Sequence, residues 1–158
     1  MKSKLTFNKG VLKSIEDLKD AKVSVGWFEE SKYDDNTSIA EVAQFQEYGT
    51  SRGIPQRPFM RPAELHNKNK WKQTGDREIK RSVDKGKPMT EAMARLGFVV
   101  KADIQDEIRA VMTPPLAEST IKSRLSRKKS KKITATLTKP LIDTGVMLAA
   151  VQSKVENV

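Results

Sequence analysis

The chain has 158 residues, 37% of them hydrophobic, no cysteine and a formal net charge of +10. That length sets a single domain, residues 1–158, as the expectation. The missing cysteines exclude a disulfide framework, a thiolate metal site and a cysteine nucleophile. No apolar run approaches the roughly 18 residues a membrane-spanning helix needs, and the start, MKSKLTFNKG, has no signal-like apolar region. The reading is a soluble protein with no membrane partner. The charge is uneven. Residues 1–50 hold seven Lys/Arg against nine Asp/Glu, a balance of −2, and residues 51–158 hold 23 against 11, a balance of +12. An excess of that sign implies an acidic partner, either nucleic acid or an acidic protein surface. The low apolar share implies surfaces that wait for a partner.

In chain order, residues 8–20 read as a helix capped by Asn8, with Val11, Leu12, Ile15 and Leu18 at helical spacing. Residues 21–28 alternate, with Ala21, Val23, Val25 and Trp27 on one face, and predict a half-buried strand. Ser38 followed by Glu41 forms a capping box that opens a helix through Tyr48, with Ile39, Val42, Ala43 and Phe45 as its apolar side.

Next comes a stiff connection, EYGTSRGIPQRPFMRP, residues 47–62. Gly49 reads as a helix stop. Pro55 and Pro58 fix φ and push their predecessors toward extended geometry, and Pro62 fits only near the first turn of a new helix. Arg57, Phe59 and Arg61 sit on this frame. Two alternatives stand for Phe59: a core residue in an ordinary helix–helix loop, or an anchor presented to a partner.

From Pro62 to about Val83 a helix is expected, thinly apolar, with Gly75 as a candidate break. Lys85–Pro88 is a turn. Residues 90–112 form the strongest helix, with Met93, Leu96, Gly97, Val100, Ile104, Ile108 and Val111 in one stripe, ended by Pro114 and Pro115. Residues 122–139 carry eight Lys/Arg and no acid: Lys122, Arg124, Arg127, Lys128, Lys129, Lys131, Lys132 and Lys139. Such a run repels itself and reads as a mobile basic loop, with a weak strand signal at Ile133, Ala135 and Leu137. Asp143 or Thr144 is expected to cap a short helix through Ala150, and residues 151–155 to form a closing strand. The fold class is α+β: a small antiparallel or mixed sheet packed against a long helix, with a flexible basic loop.

The inventory for catalysis is poor. The only histidine, His66, lies on a polar helix face and reads as a solvated side chain. No metal-ligand spacing, nucleophile–base pair or phosphate-cradling glycine pattern is present, so no catalytic residue, metal or cofactor is assigned and the chain is expected not to be an enzyme. For nucleic acid the basic content is nonspecific: no zinc finger, no RNP aromatics and no heptad zipper. Contact through the basic run would go to phosphates without sequence readout.

Three blocks occur in order. The first is Ile39-Ala40-Glu41-Val42-Ala43 running into Glu47-Tyr48-Gly49-Thr50. The second is Ile54-Pro55-Gln56-Arg57-Pro58-Phe59-Met60-Arg61-Pro62-Ala63. The third is Pro140-Leu141-Ile142-Asp143-Thr144-Gly145-Val146-Met147-Leu148. A weaker piece, Pro114-Pro115-Leu116 with Ser119-Thr120-Ile121, precedes the third. The ordered set resembles the tail-completion or head–tail joining proteins of the tailed-phage neck, related to the minor tail protein Z type of lambda-like phages. Residues 122–139 are longer and more basic than that pattern needs.

The resemblance implies a structural virion protein, made in the host cytoplasm and built into the neck. It would be a homo-oligomeric ring of six that completes the tail and joins it to the connector. Its neighbours would be the connector or head-completion protein and the tail tube or tail terminator, with genomic DNA in the channel as a further contact. Arg57, Phe59, Arg61, Asp143 and Thr144 are the interface residues this reading suggests. Lys122–Lys139 would meet either DNA or an adjoining protein. The alternative function, from charge alone, is a basic, sequence-nonspecific nucleic-acid-binding accessory protein.

Overall fold

Alternating Ala21, Val23 and Val25 build strand β1 (Ala21–Gly26), which pairs antiparallel with β2 (Gln152–Asn157). This is a computed structural model describing residues 16, 21–127 and 135–157. The expected helix over 8–20 lies outside the described residues, apart from Glu16, which is helical. Between the strands run α1 (Ile39–Tyr48), α2 (Met60–Lys85), α3 (Met89–Ala110), α4 (Glu118–Arg127), α5 (Ala135–Thr138) and α6 (Val146–Ala149). The fold is α+β.

The chain divides into two compact units. The sheet unit contains residues 1–25, 67–101 and 153–158, and the motif unit contains 26–66 and 102–152. In the sheet unit, Met89, Ala92 and Met93 of α3 form a buried cluster with Ala21 and Val23 of β1, Val155 of β2, and Ile79 and Val83 of α2. Gly97 lets α3 approach the strands closely. A Cβ there would lie 2.9 Å from both Ser153 Cβ and Val23 Cγ2, inside van der Waals contact. Two members of the stripe read from the sequence, Met93 and Gly97, thus pack the first half of α3 against the sheet.

Helix α2 continues through Gly75, which is buried; a Cβ there would lie 3.6 Å from the Leu96 side chain, an ordinary van der Waals contact. The expected break is absent, because one glycine weakens a helix by only about 1 kcal/mol relative to alanine and does not by itself end it. The buried side of α2 carries Ala63 in the motif unit and Thr74, Gly75, Glu78 and Ser82 in the sheet unit. A buried side made of small and polar residues looks thinly apolar in sequence. The helix ends in a Schellman motif: Lys87 N–H donates to Ser82 O at 2.8 Å and Gly86 N–H to Val83 O at 3.1 Å, with Gly86 at φ 59°.

In the motif unit, Ile39, Ala43, Phe59, Ala63, Ile104, Ile108, Leu137, Leu141, Met147 and Val151 are buried. Ser38 caps α1 by accepting from Glu41 N–H at 3.4 Å. The buried face of α1 is Ile39, Ala43, Glu47, at i, i+4, i+8. Phe45 falls off that face and is exposed, contrary to its assignment to the apolar side.

Lys122, Arg124 and Arg127 stand on helix α4, not in a loop. Its amphipathic spacing of Ile121, Arg124 and Leu125, with Glu118 in the first turn and arginines in the last, outweighs the like-charge repulsion. Ala135–Thr138 is a helical turn and not a strand. Lys128, Lys129, Lys131, Lys132 and Ile133 lie outside the described residues.

Candidate functional site

The first two motif blocks meet at Glu47. Its Oε2 accepts from Phe59 N–H at 2.7 Å and Met60 N–H at 2.9 Å. Its Oε1 accepts from Arg61 N–H at 3.3 Å and Arg61 Nε–H at 2.9 Å. A carboxylate on the last turn of α1 therefore satisfies the orphan amides that open α2 and complements its dipole. Burial alone would push the Glu47 carboxyl up. The hydrogen bonds from Phe59, the Arg61 side chain, Met60 and the Arg61 amide together hold it below its ordinary value.

The turn between these blocks depends on Gly49. Its φ is 72°, and a Cβ would sit 3.0 Å from Gln56 N and Ile54 O. Arg57 N–H closes the turn onto Gln46 O at 2.7 Å.

The other blocks are tied by two buried arginines. Arg57 donates from Nε to Pro114 O at 2.8 Å, from Nη2 to Pro115 O at 3.1 Å and from Nη1 to Gln46 Oε1 at 3.4 Å. Arg124 donates from Nη1 to the carbonyls of Leu137 (3.3 Å), Lys139 (2.8 Å) and Ile142 (3.1 Å), and from Nη2 to that of Pro140 at 3.3 Å. Its Nε lies 3.5 Å from Asp143 Oδ1, and Asp143 Oδ2 accepts from Arg127 Nη2 at 2.6 Å. Irregular segments leave carbonyls without donors, and a guanidinium's five N–H groups can serve several of them at once. Burial lowers both guanidinium pKa values. Arg57 is lowered further by the charge of Arg124, while Asp143 raises Arg124 and Arg127 lowers it. Both remain cations.

These contacts settle where the proposed site residues stand. Phe59 is fully buried, edge-on to Trp27 with centroids 5.6 Å apart and planes at 88°. Trp27 Nε1–H donates to Met147 O at 2.8 Å. Phe59 is thus the core residue of the two alternatives. Arg57 and Arg124 are buried among carbonyls and are not presented to a partner. Asp143 does not cap α6: the N-cap position is Gly145, at φ 83°, and Asp143 is engaged by two arginines. Thr144 is exposed, and its Oγ1 accepts from Val146 N–H at 3.4 Å. Lys139 Nζ donates to Arg109 O at 3.1 Å.

Arg61 alone of the three on the stiff connection keeps an exposed side chain, 53% accessible. Its guanidinium lies 5.1 Å from the centroid of the Tyr48 ring. Tyr48 is 62% exposed, and Leu65, one helical turn beyond Arg61, is 78% exposed. Beside them Pro58, Pro62 and His66 border a shallow depression. His66 is itself exposed, with Nδ1 2.7 Å from Glu107 Oε1.

Two clefts flank the buried arginines. One of about 290 Å³ is lined by Tyr33, Val42, Arg127, Leu141 and Thr144 among others. The other, of about 630 Å³, lies against Ile54, Pro55, Arg57, Leu116 and Thr120. Burial raises the pKa of the Tyr33 hydroxyl, and the charges of Asp35 and Asp143 add to the rise. Among the described residues, no group of three or more His, Cys, Asp or Glu could hold a metal ion, and no helix is long and apolar enough to cross a membrane.

Sequence reasoning missed Glu47 as the organising acid. The signal was available: Glu47 lies eight residues after Ile39, on the same helical face. The chain matches no family model, no curated protein and no solved structure.

Proposed function

We propose that this chain is a structural subunit of a tailed-phage neck, forming a ring that completes the tail and joins it to the connector of the head. One observation carries the reading. The motif blocks that suggest it, spread from residue 39 to residue 148, are bound into one framework by Glu47, Arg57 and Arg124. Blocks that serve one framework support treating the ordered set as the signature of one fold.

A closed ring needs two different patches per subunit, meeting head to tail. Tyr48, Arg61 and Leu65 suit one patch: they are exposed, contiguous on the motif unit, and of the aromatic and arginine types enriched at interface anchors. The connection between α1 and α2 presents them on a backbone held by prolines and by the Glu47 carboxylate, so little ordering entropy is lost on docking.

The test is assembly. Mass measurement and negative-stain imaging of the protein with its connector should show rings. Tyr48→Ser with Leu65→Ser should abolish them while the melting temperature of the isolated chain stays unchanged. Particles made without the protein should be filled heads and separate tails. Normal infectious particles from that deletion would end the proposal.

A further inference from the structure

The basic excess has a different address from the one the sequence suggests. Among the described residues, the sheet unit holds twelve Lys/Arg against six Asp/Glu, and the motif unit nine against twelve. Within the sheet unit the cations concentrate on one side of α2. Arg77, Lys80, Arg81 and Lys85 recur at i, i+3, i+4 and i+8, and all four are exposed. They cover about 12 Å of helix.

Arg77 and Arg81 are also oriented. The Glu78 side chain, only 9% accessible, has Arg77 Nε at 3.3 Å from Oε1, and Arg95 Nε at 2.9 Å and Arg81 Nη1 at 3.8 Å from Oε2. Arg95 continues to Glu91, which also takes Lys87. Six cations (Arg77, Lys80, Arg81, Lys85, Lys87 and Arg95) thus face four acids: Asp76, Glu78, Asp84 and Glu91. Three guanidiniums converge on one carboxylate, which neutralises one of them.

Arg77, Arg81 and Lys85 form successive i, i+4 pairs of like charge, an arrangement that costs an isolated helix stability. Solubility alone is served equally well by interleaved acids. A guanidinium held at Nε still presents its Nη donors, and that fork matches two phosphate oxygens.

We infer that this face of the sheet unit is a docking surface for the phosphate backbone of duplex DNA, read without regard to sequence. A duplex carries one negative charge per roughly 1.7 Å of its axis, a density that a dozen ångströms of cationic helix can engage at several points. The buried arginines of the motif unit cannot take this role, because backbone carbonyls already occupy their donors. The inference rests on the charge and geometry of the sheet unit and not on ring formation. Rings without DNA affinity would break it and leave the proposed function, and DNA affinity without rings would do the reverse.

The experiment is fluorescence anisotropy of the full chain with two labelled duplexes of about 30 base pairs and unrelated sequence, at about 50 and about 200 mM salt. Equal affinity for both duplexes is expected, falling at least about tenfold across that salt range. The variant carrying Lys80→Gln and Lys85→Gln, which leaves the Glu78 cluster intact, should bind about tenfold more weakly with a salt slope reduced by about two. Neutralising Lys128, Lys129, Lys131 and Lys132 to Gln should change affinity less than that. The inference is overturned if the wild-type chain ignores both duplexes at low salt, or if the Lys80/Lys85 variant binds as wild type with its circular dichroism unchanged. It is equally overturned if the variant at 128–132 loses more affinity, or if poly-glutamate is captured in preference to the duplex.

Discussion

The motif unit and the sheet unit both rely on arginine, and they use it in opposite ways. Arg57 and Arg124 are each only 6% exposed and end on backbone carbonyls, so their guanidiniums serve as donors for irregular chain segments. Arg77, Arg81 and Arg95 are 69%, 53% and 36% exposed and end on a carboxylate. Residue type and net charge are blind to this distinction. A buried arginine is part of the fold, and its removal leaves several carbonyls unpaired. An exposed one is replaceable for folding and available for recognition.

The largest effect should come from the buried hub. Arg124→Ala removes a donor to four carbonyls and one of the two arginine partners of Asp143. It should destabilise the chain by roughly 3–5 kcal/mol, the scale for breaking a buried charged pair, measured by chemical denaturation. Phe59→Ala should cost a similar 3–5 kcal/mol or so, because it empties a fully enclosed aromatic site against Trp27. A near-neutral result at either position would remove the contrast between the units.

Glu47 gives a smaller effect with a sign. Its carboxyl is held below the ordinary value in the folded state. The stability it contributes is therefore complete above the unfolded carboxylate range and is lost as pH falls through the depressed folded value. Glu47→Gln keeps the shape but weakens the charge-assisted bonds to Phe59, Met60 and Arg61. It should cost about 1–2 kcal/mol at neutral pH and flatten the acid limb of the stability profile. An unchanged acid limb would show that another group carries that dependence.

The smallest effect should come from Arg81→Ala in the sheet unit. An ion pair this exposed is worth less than about 1 kcal/mol, and added salt should shrink it further. A loss comparable to that of Arg124→Ala would show that the exposed cluster is structural after all.

Several features were legible because they are local. The capping Ser38, the stop at Gly49, the stripe of α3 and the alternation of β1 follow from backbone geometry and periodicity within a few residues. Phe45 and the burial of Arg124 were misread because each is decided by residues distant in sequence. Glu47 takes the buried face of α1 because the amides of Phe59, Met60 and Arg61 await it, and Phe45 turns outward.

By itself, the sequence determined an α+β chain with its turns, its stiff connection and its basic excess. Periodicity, proline and glycine act through the local backbone, and charge can be counted without knowing its place. Only the tertiary structure decided which charges belong to the fold and which to the surface. Whether a guanidinium is buried depends on carbonyls contributed from many residues away, such as those of Pro114 and Pro115 for Arg57. The desolvation that makes such an arginine structural exists only once those segments have come together.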